Sequence, residues 1–281
     1  MNFELSRNNC GEVVGLEEKR AVMVDMLDAF VEYCEKYGIR YWLDGGTLIG
    51  AARHKGFIPW DDDIDVMVPR TDILKLMNQT GGHIGKYLLV DPAQKVNLFS
   101  EHWRLYNSDY VVSSIKSGVY RPLWIDVLPM VGFPDSQKDV EKLFKKLKFL
   151  RLIEQCSAGD LLHGSSPAAK VFHLVMRPIG ALIGYDRIFD KIESLKNQYT
   201  FDEKEYVGNM GSPVAEWRGK VKREEYTRPN QLEFEGKMYS VPWNYVEYLE
   251  GLYGKNCTTE LPPENKRISN HSEVVYRYVD S

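Results

Sequence analysis

The chain has 281 residues, enough to bury a sizeable core as one large domain or two small ones. An apolar share of 43% and a charged share of 27% are ordinary for a soluble globular enzyme. The formal net charge of -4 gives the whole no strong field for nucleic acid, so no nucleic-acid partner is expected. Four scattered cysteines, Cys10, Cys34, Cys156 and Cys257, lack the spacing of a zinc knuckle or a redox dithiol and read as reduced thiols. The amino terminus (Asn2, Glu4, Ser6, Arg7) has no apolar stretch of a targeting peptide, and the most apolar segment, residues 171–183, falls short of the ~20 residues of a membrane span. A cytoplasmic protein is the expectation.

Residues 17–37 predict a first helix, with Met23, Leu27, Phe30, Val31 and Cys34 on one stripe and Gly38 placed to stop it. Residues 39–43 read as a short buried strand, 47–53 as a helix following Gly45 and Gly46, 63–68 as a second strand and 71–79 as a helix. Further strands are expected at 87–90, 103–106, 110–113 and 123–128. Strands interleaved with helices in this way argue for an α/β or α+β core. Beyond residue 134 the character changes: a basic amphipathic helix at 139–154, an apolar one at 168–183 and a third at 186–198. A hairpin pattern at 232–241, a helix at 244–252 and a polar tail from Leu261-Pro262-Pro263 follow. The expected organisation is a core at 1–134 and a helical and hairpin extension at 135–281, packed on the core or continuous with it.

The informative stretch runs from Trp60 through Asp61-Asp62-Asp63-Ile64-Asp65 to Val66. Side chains on a strand alternate. Asp61, Asp63 and Asp65 therefore face one way, and Ile64, Val66 and Val68 the other, with Asp62 turned from the acids and of less weight. Carboxylates so close raise one another's pKa unless a cation sits between them, and oxygen-only ligands suit Mg2+ (magnesium) or Mn2+. Trp124-Ile125-Asp126-Val127 repeats the pattern with one acid in an apolar strand. Asp126 reads as a metal ligand or general base, with a strand-end acid bonded to backbone amides as the alternative. Gly45-Gly46-Thr47 at a helix start is a place where backbone amides approach a phosphate.

The stretch from Asp44 to Val66 resembles the signature of the LicD family, which includes bacterial phosphocholine transferases and the fukutin-type enzymes of animals. Residues 124–134, Phe234-Glu235-Gly236, Val241-Pro242, Tyr248-Leu249, Tyr253-Gly254 and Leu261-Pro262-Pro263 also look like that family, whereas 137–201 carries no matching motif. The resemblance implies a nucleotidyltransferase-like α+β fold, a mixed sheet flanked by helices. It also implies transfer of a phospho-alcohol from a CDP-alcohol, CDP-choline first, to a sugar hydroxyl of a glycan or lipid-linked glycan, with CMP as leaving group. Teichoic acid, lipopolysaccharide and capsular precursors are the acceptors it suggests. Glycerol phosphate or ribitol phosphate is the alternative cargo, and a nucleotide-binding protein without catalysis is a further one.

On this reading Asp63 and Asp65 are the principal metal ligands, Asp61 an additional ligand and Asp126 a ligand or proton acceptor. Gly45, Gly46, Thr47, Arg53 and Arg104 contact the donor's phosphates, with His54 and Lys55 as weaker phosphate candidates. Trp103, Tyr106, Tyr120 and Trp124 are available to face a trimethylammonium group. The basic helix (Lys138, Lys142, Lys145, Lys146, Lys148, Arg151) either lies against an anionic bilayer at the inner face of the plasma membrane or is a solvated face.

Overall fold

The computed structural model describes residues 5–92, 102–114, 119–158, 178, 182–210, 220–267 and 273–280. The helix expected at 168–183 lies almost wholly outside the described residues.

A short strand, β1 (Cys10–Val13), precedes helix α1 (Leu16–Tyr37), which turns Met23, Met26, Leu27, Phe30 and Cys34 inward and ends at Gly38. Each large side chain so removed from water contributes roughly 1.5–3 kcal/mol, so packing more than propensity holds the helix. After β2 (Trp42–Leu43) the chain enters α2 (Gly45–His54), then β3 (Asp65–Pro69) and α3 (Arg70–Thr80). Strands β4 (His83–Ile84), β5 (Tyr87–Val90), β6 (Trp103–Ser114) and β7 (Tyr120–Gly132) complete the amino-terminal half. Helix α4 (Gln137–Ala158), helix Tyr185–Lys196, β8 (Tyr206–Gly208), β9 (Val221–Lys222), the hairpin β10 (Gln231–Phe234) and β11 (Lys237–Ser240), and helix Tyr245–Tyr253 lead to β12 (Glu273–Tyr278).

Among the described residues ten strands form one mixed sheet whose main path runs β1-β12-β6-β7-β3-β2. Its one parallel pair among them is β3 with β7. The class is α+β, as the sequence suggested. Its main core draws on residues from Val14 to Val275, and a second cluster (Val131, Phe133, Val140, Leu143, Leu147, Ile153, Ile188, Ile192, Leu195, Met210) sits under α4 and helix Tyr185–Lys196. Among the described residues no helix is long and apolar enough to cross a membrane.

Three differences from the sequence reading have physical causes. The two strands expected at 103–106 and 110–113 are one, with its register shifted between Asn107 and Val111 where Pro122, which has no N–H to donate, lies opposite. The acidic strand starts at Asp65 and not at Asp63, because β2 offers only Trp42 and Leu43 as partners, opposite Met67 and Val66. Strands β1 and β12 were not anticipated, because Pro262-Pro263 reads as a terminus. Yet β12 returns to pair with β6 and buries Val275.

Candidate active site

Three neighbouring strands carry a polar row. Asp65 of β3 stands opposite Asp126 of β7, and Asp126 opposite Arg104 of β6. Residues directly opposite in a ladder share a face. The Asp44 N–H donates to the Asp65 carbonyl at 3.1 Å, which adds a fourth polar residue at the β2 end. Exposure alternates along the approach to β3: Asp61, Asp63 and Asp65 are partly exposed, while Asp62, Ile64 and Val66 are buried. The predicted alternation therefore holds even where the chain is not in a ladder.

Helix α2 begins under these acids. Gly45 itself opens the helix, with Asp44 at the cap position, so the glycines are its first turn and not a loop before it. A Cβ on Gly45, whose φ is +54°, would lie 2.8 Å from Asp65 Oδ2, and one on Gly46 would overlap Asp61 Oδ2. The room these glycines leave is thus occupied by carboxylates, which the positive end of the helix dipole favours. Thr47 Oγ1 accepts the Asp65 N–H at 3.0 Å and fixes where β3 starts.

The aspartate loop is clamped from the other side by α1. Arg20 donates to the carbonyls of Ile58 (2.9 Å), Pro59 (3.0 Å) and Asp61 (2.7 Å), and Lys19 pairs with Asp62 at 2.7 Å, both side chains nearly enclosed. Asp62 faces away from the other acids, as expected, but it is an anchor rather than a bystander. Lys19 and Arg20 were not read from sequence as part of this region. The available signal was spacing: Lys19 precedes Met23 by four residues and so shares the buried stripe of α1.

Burial raises the Asp65 carboxyl well above the usual range, and Asp63, Asp126, Asp44 and Asp61 raise it further. Asp44 is also pushed up by burial, partly offset by the Tyr248 hydroxyl, which donates to its Oδ1 at 2.6 Å. Tyr253 is raised by burial and then by Asp44, Asp65, Asp63 and Asp61, although 48% of the residue is exposed. The two are compatible because its hydroxyl comes 3.6 Å from the Cβ position over Gly45, at the acids, leaving other ring atoms to solvent. Asp44, Tyr248 and Tyr253 are further residues that sequence reasoning did not place at the site.

An oxygen-only set of closely spaced acids fits a hard divalent cation in its chemistry. Among the described residues no three acid, histidine or cysteine side chains close into a metal cage by themselves.

Arg104 Nε donates to Asp126 Oδ1 at 2.8 Å, Trp124 Nε1 donates to Asp126 Oδ2 at 3.1 Å, and the Arg104 guanidinium lies 4.4 Å over the Trp124 ring. Both Asp126 oxygens therefore have donors. These are side-chain donors, not the backbone amides of the alternative reading. Burial works most strongly against the Arg104 charge, but Asp126 and Tyr106 together offset it and the guanidinium pKa ends up raised.

Arg53 is not brought to this cluster. It sits roughly 12 Å along the helix from Gly45, and its guanidinium donates to the carbonyls of Cys257 (3.0 Å) and Glu260 (2.8 Å) and to His54 Nε2 (2.9 Å). Lys55 pairs with Glu233 of the hairpin at 3.0 Å. Nor do the four aromatics present open faces together, since Trp103 and Tyr106 are buried and Arg104 covers Trp124.

Residues 38–147 match the family model described as LicD/FKTN/FKRP, nucleotidyltransferase domain. The lipopolysaccharide cholinephosphotransferase LicD of Haemophilus influenzae is 28% identical over 265 residues, covering 93% of this chain and 97% of its own. The ribitol 5-phosphate transferase FKRP of Homo sapiens is 28% identical over 117 residues, covering 36% of this chain and 22% of its own.

Proposed function

We propose that this chain, a phosphotransferase of the LicD family, moves phosphocholine from CDP-choline to a sugar hydroxyl of a cell-surface glycan precursor and releases CMP. One observation carries the reading: Asp65 and Asp126 stand side by side on the parallel pair, with Asp61 and Asp63 leading into it above the first turn of α2. That much like charge in one place is costly to a fold and useful to a diphosphate substrate with its cation.

Asp63, Asp65 and Asp126 would hold the divalent ion, with Asp61 beside them. When bound, the ion supplies charge neutralisation at the diphosphate. The protein supplies position, the larger part of phosphoryl-transfer catalysis. Arg20 and Lys19 fix the loop that carries Asp61 and Asp63. Thr47 fixes the start of β3, and Tyr248 holds Asp44. Arg104 and Trp124 occupy both oxygens of Asp126, which favours an anchoring role for that acid over proton transfer. Arg104 remains the phosphate-contacting arginine of the site, whereas Arg53 serves to tie α2 to the carboxy-terminal loop. We place the reaction in the cytoplasm.

The likeness to FKRP favours a second cargo, ribitol phosphate, within the same chemistry. Pure protein with Mg2+, incubated separately with CDP-choline, CDP-glycerol and CDP-ribitol and candidate glycans, separates them. Acceptor-dependent CMP from CDP-choline supports the first reading; CMP from CDP-ribitol alone moves the assignment to the second. CMP from none of them removes the proposal for these donors.

A further inference from the structure

Beside Asp126 lies a cavity of about 170 Å³ between α1 and the sheet, lined among others by Lys19, Asp63, Arg104, Arg121, Asp126 and Glu273. It is smaller than the ~300 Å³ at which pockets begin to enclose a drug-sized ligand, and of a size for one small charged group.

Its cations are not equally satisfied. Lys19 is spent on Asp62, and Arg104 bonds Asp126 through its Nε and also hydrogen-bonds Tyr106. Arg104 Nη1 is buried and has no acceptor. Arg121 makes no ion pair or hydrogen bond among the described residues; Glu273, the acid that favours its charge, is not within ion-pair distance. Burial and then the neighbouring Arg104 push the Arg121 guanidinium down from its ordinary value. An unpaired cationic donor kept from water, as Arg104 Nη1 is, is expensive, and the partly exposed Arg121 guanidinium lines the same cavity beside it. An anion with several oxygens meets both forks, and phosphate matches guanidinium geometry. Asp63 and Asp126 form another part of the wall, so the cavity adjoins the acidic cluster.

We infer that Arg104 and Arg121 form an anion subsite that takes a phosphate group next to the acidic cluster, Arg121 acting as a binding and positioning residue. That the phosphate belongs to a substrate of the transfer rests on the function proposed above; that the subsite binds phosphate does not. A phosphate of the donor diphosphate and one on the acceptor glycan share this chemistry.

The test uses the full chain in EDTA, so that no metal can carry the anion, and inorganic phosphate as the probe, with binding followed by calorimetry and by melting temperature. Wild type should bind phosphate, Arg121→Gln should bind it at least roughly tenfold more weakly, and Arg121→Lys should fall between, as expected for loss of charge-assisted hydrogen bonds. Circular dichroism confirms that each variant is folded. Equal phosphate binding by wild type and Arg121→Gln, or none by wild type, overturns the subsite. In turnover, a raised KM for the CDP-alcohol in Arg121→Gln assigns the phosphate to the donor, and a raised KM for the glycan assigns it to the acceptor. If neither KM nor kcat moves, the subsite has no part in the reaction and the inference fails. Phosphate binding lost in Arg121→Gln without turnover of any CDP-alcohol would sink the function and keep the subsite; turnover with unchanged phosphate binding would do the reverse.

Discussion

Asp62→Asn removes the ion-pair partner of an enclosed lysine. The Lys19 side chain is 8% exposed and the Asp62 side chain 12%, at 2.7 Å from each other. Breaking such a pair leaves an enclosed ammonium facing a neutral amide, which costs about 3–5 kcal/mol. For a chain of 281 residues the unfolding entropy near the midpoint is about 0.6 kcal/mol per kelvin, so the melting temperature should fall by about 5–8 °C. The double variant Lys19→Met with Asp62→Leu should recover much of this, because an apolar pair of similar volume avoids the desolvation of both charges. Thermal and urea unfolding of Asp62→Asn, Lys19→Met and the double variant form a cycle whose coupling should exceed about 1 kcal/mol. Since Asp62 sits between Asp61 and Asp63, Asp62→Asn should also lower kcat roughly tenfold at 20 °C through misplacement of its neighbours. A melting temperature within 1 °C of wild type, or strictly additive variants, would refute the anchoring role.

Three further outcomes follow from the same geometry. Gly46→Ala ought to improve helix propensity by up to about 1 kcal/mol, yet its Cβ overlaps Asp61 Oδ2; lower stability and lower turnover are expected, read by urea unfolding and CMP release. Tyr248→Phe leaves the buried Asp44 Oδ1 without its donor and should cost about 1–3 kcal/mol in the same unfolding assay. For Asp65 the sign is set by a raised folded-state pKa: the folded chain keeps this proton to higher pH than the unfolded one, whose value is about 3.9. Its contribution is whole below about pH 4 and is lost as pH rises through the folded value. In EDTA, Asp65→Asn should therefore melt higher than wild type at pH 8, and the gap should close toward pH 4.

Much of the site was legible in the sequence because strand periodicity is a short-range property. Asp61, Asp63 and Asp65 show their common face in six residues, and the second acidic strand shows itself as Asp126 between Ile125 and Val127. What spacing along the chain does not encode is which distant group comes to meet them. Tyr248 reaches Asp44 across 204 positions, and Lys19 reaches Asp62 across 43. Arg53 looked suited to phosphate because it lies between the glycines and the aspartates in sequence. The regular rise of α2 carries it away, and carbonyls of the 257–260 loop take up its donors. The glycines were read as a place where backbone amides approach a phosphate; in the structure Asp65 and Asp61 oxygens lie against them. Strand β12 was missed for a related reason: its partners are more than 150 residues upstream, and a proline pair masked its start.

The most direct test is CMP release from CDP-choline, with Mg2+ and a glycan acceptor, by wild type and by folded Asp65→Asn. The account predicts acceptor-dependent CMP from wild type and a loss of at least about a thousandfold in the variant, the scale seen when a principal electrostatic contributor is removed. Turnover by Asp65→Asn within about threefold of wild type would contradict it, because the acid at the centre of the row would then have no part in the chemistry.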